Sequence, residues 1–390
     1  MRKPITNTKY IRELKKISYF SEKKKKVSPG KIFFKGKELY NFSSNDYLGL
    51  STNDDLINRS IEWTKKYGVG LCSSRLVSGN LDFIENIEEK ISKLKRKEAS
   101  LIMGSGFQAN STVIPSIIEN TLGKKSKATI FSDKLNHASI NYGCILSRQK
   151  TIRYNHLDYN HLESLLSKQD INSIKLIVSE TVFSMDGDIV DIDKIRFLCL
   201  KYNCLLYLDE AHATGVFGNN GFGLTSKEDS LSPNEIVIGT FSKSFGAFGS
   251  YISCSKKMKK KIVNCCSGLI YSTALPPNIL GAIDAAIDII PLMNSSRKIL
   301  LKNSKFMKDT LIKKKFLLPD TSTHIIPIIF ECEKKCNFIS EELYKKGFFL
   351  SAIHPPTVPK GKSRLRISLT LNIKIETIKF FLNTLFTIKK

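Results

Sequence analysis

The chain has 390 residues, 42% of them apolar and 25% charged, with a formal net charge of +25. That balance excludes a disordered or low-complexity chain and suits one large domain with a smaller companion. The lysines recur in KKKK (23–26), KKMKKK (256–261) and KKK (313–315), with no aromatic interleaving and no single block, which argues against a nucleic-acid footprint.

In chain order, the first ~45 residues are charged and irregular and predict an N-terminal arm or small lobe. The middle alternates short β-branched runs with longer amphipathic stretches. ASLIMG (99–104), ATIFSD (128–133), KLIVSE (175–180), CLLYLDE (204–210) and IVIGTF (236–241) read as buried strands, and DIDKIRFLCLKY (191–202) as a helix. Such alternation predicts a mostly parallel α/β sheet covered on both faces, with ligands at the carboxyl ends of its strands. After LPPNILGAIDAAIDIIPLM (275–293) comes a Lys-rich helical stretch. THIIPIIF (323–330), FFLSAI (348–353) and SRLRISLT (363–370) then predict strands of a smaller C-terminal α+β domain, closed by a helix near 375–388. The expected division is an arm at 1–45, a large domain at 46–290 and a small domain at 291–390.

Nine cysteines occur, an odd number, and none stands in a CxxC pair. Neither a zinc site nor a disulfide framework is expected, which suits a reducing compartment such as the cytoplasm. MRKPITNTKYIRELKK lacks the apolar stretch of a secretory signal, and no uncharged run approaches the ~20 residues of a membrane span.

The chemistry lies just after the strands. ASLIM runs into GSGFQAN (104–110), a glycine turn opening a helix, where free amides and the helix dipole suit phosphate. ATIFSD is followed by His137 and KLIVSE by Ser184. CLLYLD is followed by Glu210 and His212 beside Asp209, and IVIG by Thr240, Ser242 and Lys243. Each alone is most simply a cap or a satisfied hydrogen-bonder. Gathered at one rim, a phosphate cradle, a carboxylate, two imidazoles, hydroxyls and one lysine make a site. That set fits pyridoxal 5′-phosphate, which needs a lysine for its imine, an acid at its ring nitrogen and donors for its phosphate. Lys243 would carry the imine, Asp209 would pair with the ring nitrogen, His212 would reach the ring hydroxyl and His137 would lie over the ring. The spelling DEAH (209–212) also occurs in helicase boxes. The G-x-x-x-x-G-K-[ST] loop that reading requires is missing, since the GKS at 361–363 has Pro356 at the first glycine position and lies downstream.

The chain resembles the α-oxoamine synthases, pyridoxal-phosphate enzymes of the aspartate-aminotransferase fold. The resemblance runs from about residue 40 to 370 and rests on NFSSNDYLGLS (41–51), SRLVSGN (74–80), GSGFQAN (104–110), NHASI (136–140), ETVFSMDGD (180–188), DEAHATGVFG (209–218), TFSKSFG (240–246), YSTALPP (271–277) and PPTVPKGKSRLR (355–366). It implies that Gly106 and Phe107 bind the cofactor through the backbone, and that Glu180, Ser184, Asp209, His212, Thr240 and Ser242 line its site with Lys243 and His137. It further implies that Ser272 and Thr273 reach the phosphate from a partner subunit of a homodimer, that Asn45 and Arg366 hold a substrate carboxylate, and that Thr357 lines an acyl pocket. FSSNDYLGL, YSTALPP and PPTVP are most similar to the biotin-pathway branch. That branch implies a decarboxylative condensation of L-alanine with a pimeloyl thioester, on coenzyme A or a carrier protein, to 8-amino-7-oxononanoate. A sister synthase using glycine or serine is the alternative. The resemblance to that branch implies arginines near the end of the first helix and just before PPTVP, where this chain has Phe20 and His354.

Overall fold

The computed structural model describes residues 14–21, 25–119, 128–226 and 232–389. Short strands β1 (Ile17–Ser18), β2 (Lys31–Phe34) and β3 (Lys37–Asn41) open the chain. They are followed by helices α1 (Asp54–Tyr67) and α2 (Asp82–Lys95). Next come β4 (Ala99–Met103), α3 (Gly106–Glu119), β5 (Ala128–Asp133), α4 (Ala138–Leu146), β6 (Lys150–Tyr154), α5 (Tyr159–Leu166) and β7 (Ile174–Glu180). The large domain continues with α6 (Ile192–Lys201), β8 (Leu205–Asp209), β9 (Glu235–Thr240), β10 (Ser250–Cys254), α7 (Lys256–Cys265), α8 (Ser267–Ile270) and α9 (Pro277–Ile289).

Seven of these strands form one sheet in the order β4-β10-β9-β8-β7-β5-β6. The pairings β9–β8, β8–β7, β7–β5 and β5–β6 are parallel, while β10 runs antiparallel to both its neighbours. The expected strands are all present, in a large and mostly parallel sheet. The sequence reading missed β6 and β10. The reason is visible in β6, KTIRY, where a lysine and an arginine interrupt the apolar run of an edge strand. Strands β4, β5 and β9 are buried along their whole length, as a sheet covered on both faces requires. Two glycines allow that closeness. A Cβ on Gly239 of β9 would lie 2.2 Å from the Tyr251 ring, and one on Gly143 of α4 would lie 2.3 Å from the Asn110 carbonyl oxygen. The second brings α4 against α3 and sets two parts of the site side by side.

The smaller unit contains α10 (Asn294–Lys313), β11 (Ile325–Phe330), α11 (Glu333–Lys345), β12 (Phe348–Phe349), β13 (Ala352–Ile353), β14 (Ser363–Ser368) and α12 (Ile375–Lys389). The stretch FFLSAI, expected as one strand, divides. β12 pairs parallel with β3, and β13 pairs antiparallel with β14. The N-terminal residues expected as an arm thus include a β2–β3 hairpin that, through β12, shares a four-stranded sheet with the C-terminal region. Its registration is apolar: Phe42 and Tyr47 belong to the same buried cluster as Leu343, Phe348, Ile367 and Phe381. Among the described residues, no single helix is long and apolar enough to cross a membrane.

Candidate active site

Strands β5, β7, β8 and β9 end at one rim, and the side chains there fall into two hydrogen-bonded groups. The first centres on Asp209, the last residue of β8. Its Oδ2 accepts from Asn110 Nδ2 at 2.7 Å and its Oδ1 from the Ala211 N–H at 2.8 Å. Asn110 stands on the second turn of α3, where Tyr207 donates to its Oδ1 at 2.9 Å and its Nδ2 also reaches Ser139 Oγ at 2.9 Å. These partners fix the carboxylate's direction while it is almost fully buried. Ser139 in turn meets His137 Nδ1 at 2.7 Å, and His137 caps the N-terminus of α4. The His137 N–H donates to Glu180 Oε1 at 2.6 Å, and Asn136 accepts from the Glu180 N–H at 3.1 Å. Burial, reinforced by the negative Asp209, pushes the Glu180 carboxyl well above the ordinary carboxylate range. Burial also lowers His137, against the pull of Asp209.

The second group centres on Lys243, three residues beyond β9. Its Nζ lies 2.7 Å from His212 Nε2. Burial lowers this ammonium from 10.5 to about 8, with Asp209 and Glu180 opposing the shift and Arg366 adding to it. His212 is held well below its usual value by burial and by the cations Lys243 and Arg366, so it is neutral. His212 Nδ1 meets the Tyr47 hydroxyl at 2.6 Å, and that hydroxyl lies 3.0 Å from Asn45 Oδ1. Arg366 reaches the same oxygen at 3.3 Å through Nη1 and donates through Nε to the Ser184 carbonyl at 2.5 Å. One continuous network therefore joins Lys243, His212, Asn45, Arg366 and Ser184, residues scattered over more than 300 positions.

Strand β14 and the loop before β11 grip the 184–187 turn. Arg364 Nη1 donates to the Met185 carbonyl and to Asp186 Oδ1, each at 2.9 Å. Thr321 and Thr323 donate to the Gly187 carbonyl at 3.1 and 2.9 Å. Gly187 adopts φ +72°, and a Cβ there would lie 2.3 Å from the Ile325 carbonyl oxygen. Only glycine fits this turn without strain.

The other expected residues are placed differently. Thr240 Oγ1 and Ser242 Oγ lie 2.7 Å apart at the end of β9, with Ser242 exposed. Gly106 is the first residue of α3, and nothing stands within 4 Å of the position its Cβ would take. Phe107 is exposed beside Tyr142, ring centroids 5.6 Å apart. Ser272 accepts from Gln108 Nε2 at 2.6 Å, and Thr273 bridges to Ser74. Thr357 sits on an exposed turn, its N–H donating to the His354 carbonyl at 3.0 Å, apart from both groups. Glu210 faces away from the rim and forms a fully buried ion pair with Lys95. Sequence reasoning passed over Asn110, Asn136 and Tyr47, although all three stand inside motifs it had singled out. Asn136 and Tyr47 stand one and two positions from a named residue, and Asn110 stands three from Phe107. His324, inside THIIPIIF, is fully buried against Tyr47, and neither of its ring nitrogens has a hydrogen-bond partner among the described residues.

The residues present fit pyridoxal phosphate. A lysine amine made neutral near pH 8 faces a buried carboxylate whose position is set by two donors. Hydroxyls end the neighbouring strand, and a helix N-terminus with open space over its first glycine stands beside them. The comparisons agree. A family model described as aminotransferase class I and II matches residues 37–385. The 8-amino-7-oxononanoate synthase of Lysinibacillus sphaericus is 38% identical over 389 residues, 98% of each chain. The crystal structure of the 8-amino-7-oxononanoate synthase from Francisella tularensis matches with a TM-score of 0.75 at 27% identity, covering 90% of this chain and 97% of that one. A serine palmitoyltransferase solved with pyridoxal phosphate matches in fold with a TM-score of 0.87 at 24% identity, covering 93% of this chain and 90% of that one. With this rim of residues and these relatives, the chain belongs to the class I and II aminotransferase family of fold type I, as an α-oxoamine synthase that uses pyridoxal 5′-phosphate.

Proposed function

We propose that the chain condenses L-alanine with a pimeloyl thioester, releasing CO2 and the free thiol and yielding 8-amino-7-oxononanoate. The observation that carries the chemistry is the Lys243 amine, buried and lowered to about 8, within electrostatic reach of Asp209 and Glu180. The relatives named for this reaction, similar over almost the whole chain, support the choice of substrates. When bound, the cofactor draws off the electron pair left at the amino acid's α-carbon. Asp209 would hold the proton on the ring nitrogen, Thr240 and Ser242 would donate to the phosphate, and Gly106 and Phe107 would offer it their amides. Ser272 and Thr273 would do so from the partner of a homodimer with shared sites. Lys243, freed by the incoming amine, takes the α-proton as general base. An amine near 8 suits that role, because a neutral fraction is available at neutral pH while the conjugate acid can still return a proton. Arg366 and Asn45 orient the amino-acid carboxylate, the planar guanidinium being suited to a two-point grip. His137 polarises the thioester carbonyl. Thr357 would border the acyl chain.

The test is turnover of purified, cofactor-loaded protein with pimeloyl-CoA or a pimeloyl carrier protein and each of alanine, glycine and serine, with the product identified by mass spectrometry. Product from alanine is expected. Turnover with glycine or serine and none with alanine overturns the reading in favour of a sister synthase. The comparison of carriers also addresses Phe20, which is exposed, and His354, which is tied to Asn337 and Ser363, at the two positions where the resemblance implies arginines.

A further inference from the structure

We propose that Tyr47 is a positioning residue that fixes the tautomer of His212 and so couples the Arg366 end of the site to Lys243. A guanidinium has no acceptor, so the Asn45 atom 3.3 Å from Arg366 Nη1 is the carbonyl oxygen and not the amide nitrogen. That oxygen can only accept. The Tyr47 hydroxyl, 3.0 Å from it, therefore donates there. A phenol has one proton, and it is now committed. Toward His212 Nδ1, 2.6 Å away, the Tyr47 oxygen must accept, so Nδ1 carries the hydrogen. A neutral imidazole protonated at Nδ1 has its lone pair at Nε2, which accepts from Lys243 Nζ at 2.7 Å.

Every step runs one way because it starts at a group that cannot be an acceptor. The reverse order would leave the Asn45 oxygen with one donor and would require Lys243 Nζ to accept from Nε2–H as a neutral amine. Tyr47 itself is immobilised: it is fully buried, its ring meets that of His324 at 3.9 Å and 62°, and its carbonyl accepts from the Leu371 N–H at 3.0 Å. Two consequences follow. His212 presents an acceptor to the cofactor side, so it would receive a hydrogen from a ring hydroxyl. A carboxylate drawn to Arg366 competes with the Asn45 oxygen for Nη1–H, so substrate binding is felt along the chain of hydrogen bonds as far as Lys243. The coupling rests on the proposed role of Arg366. The tautomer does not.

The experiment uses cofactor-free protein labelled with 15N in its six histidines. Long-range 15N–1H correlation spectra distinguish the tautomers, and His212→Gln assigns the signal. In the unaltered protein His212 is expected as the Nδ1–H form. Tyr47→Phe removes the acceptor and is expected to shift His212 to the Nε2–H form, while Asn45→Asp, which keeps an acceptor oxygen, retains Nδ1–H. If Tyr47→Phe does not fold, Asn45→Leu serves: freed of its acceptor, the phenol donates to Nδ1 and His212 again becomes Nε2–H. An Nε2–H form in the unaltered protein, or an unchanged Nδ1–H signal in folded Tyr47→Phe, overturns the assignment. In the loaded enzyme, Tyr47→Phe is expected to lower kcat about tenfold with the amino-acid KM within about twofold. The spectra do not depend on which amino acid or thioester is used, so failure of the alanine reading leaves them unchanged.

Discussion

Lys243 shows how burial converts a common residue into a reagent. Most of the described lysines are exposed; this amine loses hydration that its one hydrogen-bond partner among the described residues, a neutral imidazole, does not replace. The amine reacts only when neutral, so its modification in cofactor-free protein should rise with pH and level off above about 8. Modification of exposed lysines should keep rising beyond that pH. Peptide mass spectrometry after brief treatment with an amine-selective reagent reads both at once, and a Lys243 profile that follows the exposed ones refutes the perturbation. The same burial costs stability. The folded value lies below the unfolded 10.5, so the penalty is full below pH 8 and relaxes as the pH rises from 8 to 10.5. Lys243→Met should therefore raise the melting temperature at pH 7, abolish turnover, and gain less at pH 10. Arg366 is the opposite case, a cation whose partners at Ser184, Asn45 and Ser368 match its fork. Arg366→Lys keeps the charge and loses the geometry. The KM for the amino-acid substrate should rise by roughly tenfold or more with a smaller change in kcat; an unchanged KM would remove Arg366 from the proposed carboxylate binding.

At the scale of elements, the site depends on loops that β-strand ends cannot hold alone. His156 shows one solution. Its Nδ1 lies 2.9 Å from Asp133 at the end of β5, and its Nε2 lies 2.7 Å from Asp188 in the loop that carries Ser184. Although burial opposes it, hydrogen bonds and charge from the two carboxylates raise this imidazole to about 10. A base whose folded value is raised contributes stability fully below its unfolded value near 6.5 and loses it as the pH climbs through 10. His156→Gln should cost about 3 kcal/mol near pH 6, since it leaves two carboxylates without their cation, and the gap should close toward pH 10. Denaturant midpoints at the two pH values measure this, and a pH-independent gap would show that the imidazole is not charged. On the other side of the same loop, Gly187→Ala should destabilise the fold by about 2 kcal/mol or more through its positive φ and the Ile325 carbonyl. Neither device was legible in the sequence. The other central strands and the strand-end positions were, because period, apolarity and strand-end position are local signals, whereas β6 and β10 were not. His156, Asp188 and Arg364 act on partners far away in the chain, and although Asp188 and Arg364 stand inside quoted motifs, nothing local names those partners. Even FFLSAI, a single run by composition, is cut between two sheets by partners that lie far away in the chain.

Across the whole molecule, the phosphate end of the site is where one chain gives the least. Ser272 and Thr273 are engaged with Gln108 and Ser74 of their own chain, and no hydrogen bond among the described residues joins them to Thr240 or Ser242. If each site borrows these hydroxyls from a partner, damage to Lys243 and damage to Ser272 and Thr273 fall on different chains of the same site. Two parents follow from that, one carrying Lys243→Ala and the other Ser272→Ala with Thr273→Ala. Each homodimer is damaged at both of its sites. In a mixed dimer one site collects every lesion and the other collects none. When equal amounts are unfolded together and reassembled at random, half the dimers are mixed and half of their sites are intact. Activity should therefore return to about one quarter of the unaltered enzyme treated alike, above the residual rate of either parent. Light scattering should give twice the chain mass of 44.0 kDa. Sites built within single chains would recover nothing on mixing, because no reassembly could bring an undamaged lysine together with undamaged hydroxyls.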